Sequence, residues 1–258
     1  MLPLHDDNPT TRRPVVTVVL ILACLAVYFL VQGGVKSALG EGATDQPEFT
    51  VKNAAIPCEI VQGHPLTDNE LRRTFALNDP DACDKNDTSP QAFPDKQIYV
   101  ALLVSMFLHA GLLHLGGNML FLWVFGNNIE DHLSAFGFLA FYLAGGIVAT
   151  LGHVALDPDS TVPVVGASGA IAAVMGAYLV LYPRARINSI IILGFFVLFR
   201  KIPAWVLLGV WFLSQFLIDP TSGVAWAAHV AGFVFGVIVG LVLRATGGRP
   251  TKRAPIYA

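Results

Sequence analysis

Charged residues are scarce in this sequence. They make up 13% of the 258 residues, about half of the roughly 25% that is usual in soluble domains. The net charge of −2 shows no basic excess, which argues against nucleic acid as a partner. Three cysteines are too few for a disulfide scaffold. Hydrophobic residues make up 54%, which excludes a disordered chain, so the apolar excess must face something other than water.

The apolar residues form runs that suit a lipid bilayer, whose core a helix of about 20 residues crosses. They predict an all-α membrane protein, a bundle of six transmembrane helices with a long outer loop after the first. The predicted spans are Val15–Val31, Leu112–Phe125, Leu133–Leu156, Val162–Tyr182, Ala204–Ile218 and Val224–Leu243. A signal peptide is the alternative for the first run, although Gln32-Gly33-Gly34 offers no suitable cleavage site.

The chain therefore divides into five predicted parts. These are a cytoplasmic tail at 1–14, a first transmembrane helix at 15–32, an extracytoplasmic loop at 33–100, a core of five further helices at 101–243 and a cytoplasmic tail at 244–258. Lys and Arg in the short loops place both termini inside, and we expect the plasma membrane of a prokaryote. Ile190–Phe199 is too short to span and is predicted to be an interfacial segment, in which Leu193-Gly194 turns a small hairpin of β-branched and aromatic residues.

Two cysteines, Cys58 and Cys83, lie in the predicted outer loop. On the oxidising side of a membrane a disulfide between them is plausible, and two free thiols are the alternative. The histidines lack the H-E-x-x-H spacing, which argues against a zinc protease.

Polar side chains inside predicted spans are costly and indicate function. Asn118, Ser168 and His229 each follow the start of a span that runs from outside to inside by five or six residues. At 1.5 Å per residue, they are expected roughly 8–9 Å below the outer surface, at one depth. His114 lies one helical turn before Asn118, on the same face.

The polar side chains expected at this depth are of the types that acyl transfer requires. A serine hydroxyl needs a base to take its proton, and His229 can act as that base. Asn118, His114 and the backbone N–H of Ser168 can stabilise an oxyanion. No carboxylate lies in the outer half of a predicted span, so a Ser-His dyad is favoured over a triad.

Each residue also has a simpler interpretation. Ser168 could cap a helix, and Asn118 and His229 could hydrogen-bond between helices. His109 and His153 are interpreted as supporting or structural residues. Gly232, Gly236 and Gly240 recur every four residues, as helix-packing glycines do. The nucleophile elbow G-x-S-x-G is absent, because Ala170 stands where its last glycine belongs.

These motifs resemble the rhomboid family of intramembrane serine proteases. The matching stretches are His109-Ala-Gly-Leu-Leu-His114-Leu-Gly-Gly-Asn118, Gly166-Ala-Ser168-Gly169, Ala228-His229-Val-Ala-Gly232 and the acidic Glu130. The resemblance implies a six-helix core, Ser168 as nucleophile, His229 as base, and His114 and Asn118 as oxyanion partners. His109, Gly166, Gly169 and Gly232 would support the site.

Two positions depart from the pattern of this family. Val100 and Ala101 replace a Trp-Arg pair that many members carry in the first outer loop. Ala172 stands where some members place a tyrosine that stacks on the histidine. His229 must therefore be held in place by another group.

The resemblance implies an endopeptidase that cuts transmembrane protein substrates near their outer end within the bilayer, with no metal and no cofactor. A substrate helix is expected to arrive between spans two and five, with Trp205, Trp211 or Phe212 as gate candidates and Asp219–Gly223 as a hinge. A proton-coupled carrier is the first alternative, but it expects membrane carboxylates and inverted repeats. The second is a non-catalytic chaperone of the same fold. The oligomeric state and the substrate are not predicted.

Overall fold

The structure of the protein is a computed structural model, which describes residues 1–33, 46–193, 196–219 and 223–247. The described helices are α1 (Val15–Ala26), α2 (Gln46–Asn53), α3 (Pro57–Gln62), α4 (Asp68–Ala76), α5 (Ile98–Val104), α6 (Leu112–Leu156), α7 (Ser168–Leu181), α8 (Ala204–Gln215) and α9 (Trp226–Ala245). The strands are β1 (Leu2–Asp6), β2 (Arg186–Leu193) and β3 (Phe196–Pro203). The predicted hinge residues 220–222 and the predicted turn residue Gly194 lie outside the described parts of the chain.

Helix α7 is the centre of the bundle. Every residue from Gly169 to Tyr178 is buried, as expected for a helix that is apolar on all sides. Alanine and glycine predominate in this stretch, and small residues let neighbouring helices approach closely. Helices α6 and α9 pack along it, and Pro183 follows its end.

Helix α6 combines two predicted spans in 45 residues. Ser134 interrupts it with a φ of 67° and a ψ of 165°, so the chain reverses there without a separate loop. Positive φ is uncommon for a residue that carries a Cβ. The two predicted spans, Leu112–Phe125 and Leu133–Leu156, are thus joined directly.

The first helix is held by two carboxylates that lie just before this reversal. Glu130 accepts the backbone N–H groups of Val16 and Thr17, each at 2.8 Å. Asp131 accepts the backbone N–H of Thr11 at 3.0 Å. The first N–H groups of a helix have no partners within it, so these carboxylates stabilise the start of α1 against α6.

A three-stranded antiparallel sheet corrects the prediction of an all-α fold. Strands β2 and β3 pair from Arg186↔Pro203 to Leu193↔Phe196, and β1 pairs with β2 from Leu2↔Ile190 to Asp6↔Ile187. The residues predicted as an N-terminal tail therefore include a strand. Only five residues form β1, too few to show a clear alternating pattern in the sequence.

Helices α6 and α9 are long and apolar enough to cross a membrane by length and composition. The other apolar helices are shorter, at 10–17 residues when the helical turns that continue α1 to Val31 and α5 to Phe107 are included. The count of six spans therefore stays a prediction. The fourth predicted span also begins later than expected, because α7 starts at Ser168 and not near Val162. Pro163 has no N–H to donate, and Gly166 has a φ of +119°, so the chain before Ser168 is not helical.

The segment 46–97, which we call the loop segment, contains helices α2 to α4 and its own small core. A disulfide joins Cys58 to Cys83. The Lys96 ammonium pairs with the Glu59 carboxylate at 2.5 Å, and both side chains are 1% exposed. Burial raises the pKa of the Glu59 carboxyl and lowers the pKa of the Lys96 ammonium.

Candidate active site

Ser168 and His229 lie in hydrogen-bond contact although 61 residues separate them in the chain. The Nε2 atom of His229 is 2.8 Å from the Oγ atom of Ser168. Ser168 is the first residue of α7, and His229 lies in the first turn of α9. The equal depth predicted for the two side chains therefore arises differently: Ser168 begins its helix and does not lie one and a half turns into it.

Close packing between α7 and α9 sets this distance. A Cβ atom added to Gly232 would lie 2.2 Å from the carbonyl oxygen of Gly169, and one added to Gly236 would lie 1.9 Å from that of Ala173. Real Cβ atoms do not come within 3.0 Å of another heavy atom. Glycine is thus required at these two positions of α9, and backbone meets backbone beside the Ser168–His229 pair.

The other ring nitrogen of His229 contacts an amide. Its Nδ1 atom is 2.7 Å from the Oε1 atom of Gln215, the last residue of α8. The ring of Trp211, one turn earlier, lies beside the imidazole with 5.9 Å between centroids and 40° between planes. These two residues hold the histidine in the absence of a tyrosine at Ala172.

His114 and Asn118 direct donors to one point next to Gly166. A Cβ atom at Gly166 would lie 2.8 Å from the Nε2 atom of His114 and 3.4 Å from the Nδ2 atom of Asn118. The Nδ1 atom of His114 accepts the backbone N–H of Ala110 in a long bond of 3.5 Å. A neutral ring that accepts at Nδ1 carries its proton on Nε2, the nitrogen that lies next to Gly166.

The amide nitrogen of Asn118 is buried and has no hydrogen-bond partner among the described residues. A buried donor without a partner is costly. The backbone N–H of Ser168 is also free of helical partners, because it belongs to the first turn of α7. The positive end of the α7 dipole adds to this field. The imidazole of His114, the amide of Asn118 and the first residue of α7 thus line one cavity, where their donors can face a negative charge.

His109 lies next to His114. Its ring packs edge-on against the ring of His114, with 5.3 Å between centroids. Its backbone is fixed by Gln32, whose side chain accepts from the His109 N–H at 3.0 Å and donates to the His109 carbonyl at 2.9 Å. The structure thus places His109 against His114, with its backbone bonded to Gln32.

A cavity of about 480 Å³ opens onto these groups. Helices α6 to α9 contribute to its wall, and its apolar side includes Phe121, Ile171 and Met175. A larger cavity of about 680 Å³ lies near the N-terminal strand and is lined by residues such as Asp6 and Trp123. The Ser168–His229 pair does not line that larger cavity.

The loop segment is bonded to the wall of the site. The backbone N–H of Ala55 donates to the Oγ atom of Ser105 at 2.6 Å, and the N–H of Gly166 donates to the Ser105 carbonyl at 2.9 Å. The N–H of Val164 donates to the Ala55 carbonyl at 2.8 Å. The strand-like stretch before Ser168 is thus fixed from outside the bundle.

One group of potential metal ligands occurs among the described residues. It comprises Cys58, Glu70 and Cys83. The disulfide occupies both sulfur atoms, which leaves Glu70 as the one available ligand. This group lies in the loop segment and does not include Ser168 or His229.

Gln215 and Ser105 were missed by the sequence reasoning. That reasoning searched the spans for ionisable groups and for the motifs around Ser168 and His229. Asn118, also an uncharged amide, was found because it lies one turn after His114 and near the start of its span, whereas Gln215 lies near the end of the fifth predicted span. An inventory of all hydrogen-bonding side chains in the spans would have included Gln215.

Comparisons with known proteins match the part of the chain that contains Ser168 and His229. The family model of the rhomboid domain matches residues 96–246. Rhomboid protein 1, mitochondrial, of Saccharomyces cerevisiae is 30% identical over 151 residues, which cover 55% of this chain and 41% of that protein. The human presenilin-associated rhomboid-like protein, mitochondrial, is 31% identical over 147 residues, which cover 53% and 36%. The RHOMBOID-like protein 12, mitochondrial, of Arabidopsis thaliana is 29% identical over 157 residues, which cover 53% and 44%.

The matched region spans less than half the length of each of these relatives. All three are named as mitochondrial proteins, which contradicts the expected plasma membrane of a prokaryote. The resemblance found in the sequence motifs is confirmed. Because the family model matches more than half of the residues, the chain belongs to the rhomboid family.

Proposed function

We propose that the protein is an intramembrane serine endopeptidase in which Ser168 is the nucleophile and His229 is the base. The observation that carries this proposal is the 2.8 Å contact between Ser168 Oγ and His229 Nε2. A serine is activated when a base lies within hydrogen-bond reach of its hydroxyl. The imidazole meets that requirement, and its other nitrogen is engaged by Gln215.

The reaction follows from the positions of these groups. Ser168 Oγ attacks the carbonyl carbon of the scissile peptide bond while its proton passes to His229 Nε2. The carbonyl oxygen becomes an oxyanion and accepts hydrogen bonds from His114 Nε2, Asn118 Nδ2 and the Ser168 N–H. His229 then gives its proton to the leaving amine, and water hydrolyses the acyl-enzyme by the same steps in reverse.

Gly166 makes room for the oxyanion. A side chain at this position would fill the space between His114 and Asn118, because the Cβ atom alone would come 2.8 Å from the imidazole. The space therefore accepts an oxygen atom of a substrate in place of a Cβ. This geometry favours acyl transfer over a proton-coupled carrier, which has no use for three donors around one point.

The substrate class follows from where the cavity lies. Its wall includes Phe121 on the first half of α6 and Trp211 on α8, the helices that correspond to the second and fifth predicted spans. A transmembrane helix of a substrate would reach Ser168 between these two helices. Its scissile bond must leave the helical conformation, so small or helix-breaking residues near that bond are favoured. A disulfide that joins α8 to the first half of α6 should block such substrates, and normal cleavage by the crosslinked protein would contradict this route.

The function is tested with the purified protein in liposomes that contain a single-span test substrate. Ser168→Ala should abolish both cleavage and labelling by a fluorophosphonate probe, with no loss of folded protein. Ser89→Ala, which removes a hydroxyl in the loop segment, is the matched control and should cleave normally. Cleavage by Ser168→Ala would refute the assignment. A wild-type protein that neither cleaves nor reacts with the probe would favour a non-catalytic role.

A further inference from the structure

We infer that Gln215 is the positioning residue of the catalytic pair, so that the site works as a Ser-His-Gln triad. The inference rests on the proposed function and adds a third member to the pair. Gln215 is 5% exposed and lies within 2.7 Å of the Nδ1 atom of His229. That nitrogen is on the side of the imidazole opposite to Ser168.

The orientation of the Gln215 amide is fixed by its own partners. Its Nε2 atom donates to the carbonyl oxygen of Trp211 at 2.9 Å and to the Oγ atom of Ser214 at 3.3 Å. An amide nitrogen only donates and an amide oxygen only accepts. The oxygen of Gln215 is therefore the atom that faces His229, and a rotated amide would place its oxygen against the Trp211 carbonyl.

This orientation selects one tautomer of the histidine. Because Gln215 Oε1 can only accept, His229 must carry its proton on Nδ1. The lone pair of Nε2 is then directed at the Ser168 hydroxyl, 2.8 Å away. With the other tautomer, Nε2 would present a proton to the serine and could not act as the base. In serine proteases that hold the wrong tautomer, the turnover number falls by as much as about 10⁴-fold.

A neutral amide also suits the surroundings of this site. The ionisable groups that act on the His229 ring are His114 and His153, both on α6. A buried carboxylate at position 215 would have to leave water without a cation fixed beside it, which is costly. Gln215 orients the imidazole without a buried charge. The sequence predicts a Ser-His dyad because no carboxylate lies in the outer half of a predicted span. Gln215, which carries no charge, adds the third member.

The test uses two substitutions of Gln215 and one control on the same helix. Gln215→Met keeps the length of the side chain and removes the acceptor. We expect its turnover number and its rate of fluorophosphonate labelling to fall by about 10²-fold, as for a catalytic group that is out of place by about 1 Å, with KM nearly unchanged. Leu213→Ala removes a side chain that is 65% exposed on the same turn and should behave as wild type.

Gln215→Glu separates positioning from packing. Glutamate keeps an acceptor for Nδ1 but favours the imidazolium, which cannot take a proton. We therefore expect the acid limb of the kcat/KM–pH profile to move to higher pH by about one unit or more, while activity above that limb is retained. The shift reports that the side chain at position 215 faces the imidazole, and a side chain that packed away from His229 would leave the position of this limb unchanged.

The tautomer itself is read from the ¹⁵N chemical shifts of His229 in the purified protein, without a substrate. We expect the Nδ1–H form in the wild type and a mixture of tautomers in Gln215→Met. Full turnover by Gln215→Met, an unmoved acid limb in Gln215→Glu, or an Nε2–H form in the wild type would each overturn the inference. If Ser168→Ala cleaves as well as wild type, the proposed function fails, and the tautomer measurement still decides the position of Gln215.

Discussion

Replacing Gly232 by alanine should uncouple the catalytic pair while leaving the bundle assembled. The added Cβ atom would come within 2.2 Å of the Gly169 carbonyl oxygen, so α9 has to move away from α7 by about 1 Å to reach the closest separations that proteins tolerate. Gly169 adjoins Ser168, and Gly232 is three residues from His229. The 2.8 Å contact between Ser168 and His229 would lengthen accordingly.

The size of the effect follows from these distances. A misplacement of about 1 Å at a catalytic group costs about 10²-fold in rate. Overpacking of a core costs about 1–3 kcal/mol in the free energy of unfolding. We therefore expect Gly232→Ala to remain folded at moderate temperature and to cleave about 10²-fold more slowly.

The assay compares cleavage in liposomes with thermal unfolding of the same preparation. Gly209→Ala on α8 is the matched control, because its added Cβ meets no atom within 4 Å, and it should retain the wild-type rate. If Gly232→Ala unfolds at a lower temperature but cleaves at the wild-type rate where it is folded, the alignment argument is wrong. In that case the close contact serves stability alone.

Four further results are expected. Asn118→Ala should lower kcat by about 10²–10³-fold, the cost of one oxyanion donor, and His229→Ala should lower it further. Kinetics of both variants test this order, and a lower kcat for Asn118→Ala than for His229→Ala would contradict the assigned roles. Replacing both cysteines of the loop disulfide by serine should lower the free energy of unfolding by about 3 kcal/mol, as measured by denaturant titration. Lys96→Met should cost about 3–5 kcal/mol in the free energy of unfolding, because it leaves the Glu59 carboxylate buried without its counterion. The double variant with Glu59→Leu should recover most of this loss, and equal stability of the single and double variants would contradict the pairing. Glu130→Gln should lower the thermal midpoint, because an amide nitrogen would face the N–H donors of α1; an unchanged midpoint would argue against this cap.

The sequence was most informative where single residues carry the chemistry. Ser168, His229 and Asn118 could be found because polar groups are rare in apolar runs, and the structure brings all three to one cavity. The depth argument selected residues that line one cavity, although it assumed that α7 begins six residues before Ser168. The pattern of apolar residues does not show that Pro163 and Gly166 delay α7 until Ser168 itself.

Other features depend on contacts that no local pattern specifies. Strand β1 exists because β2 offers it an edge, and five residues alone do not indicate a strand. The reversal at Ser134 is stabilised by two long helix halves that pack on the same neighbours, and its own sequence has no glycine or proline at the turn. Gln215 acquires a role only when the end of α8 meets α9. Each of these features is determined by tertiary packing.

The hydrogen bonds of Ser105 couple the loop segment to the wall of the active site. One residue connects the N–H of Ala55 to the N–H of Gly166, and Gly166 leaves the space beside His114 that the proposed reaction assigns to the oxyanion. A strain applied to the loop segment would reach that space through two hydrogen bonds, without passing through any transmembrane helix. Amino-acid changes in the loop segment could therefore tune the catalytic rate during evolution while the catalytic groups stay the same.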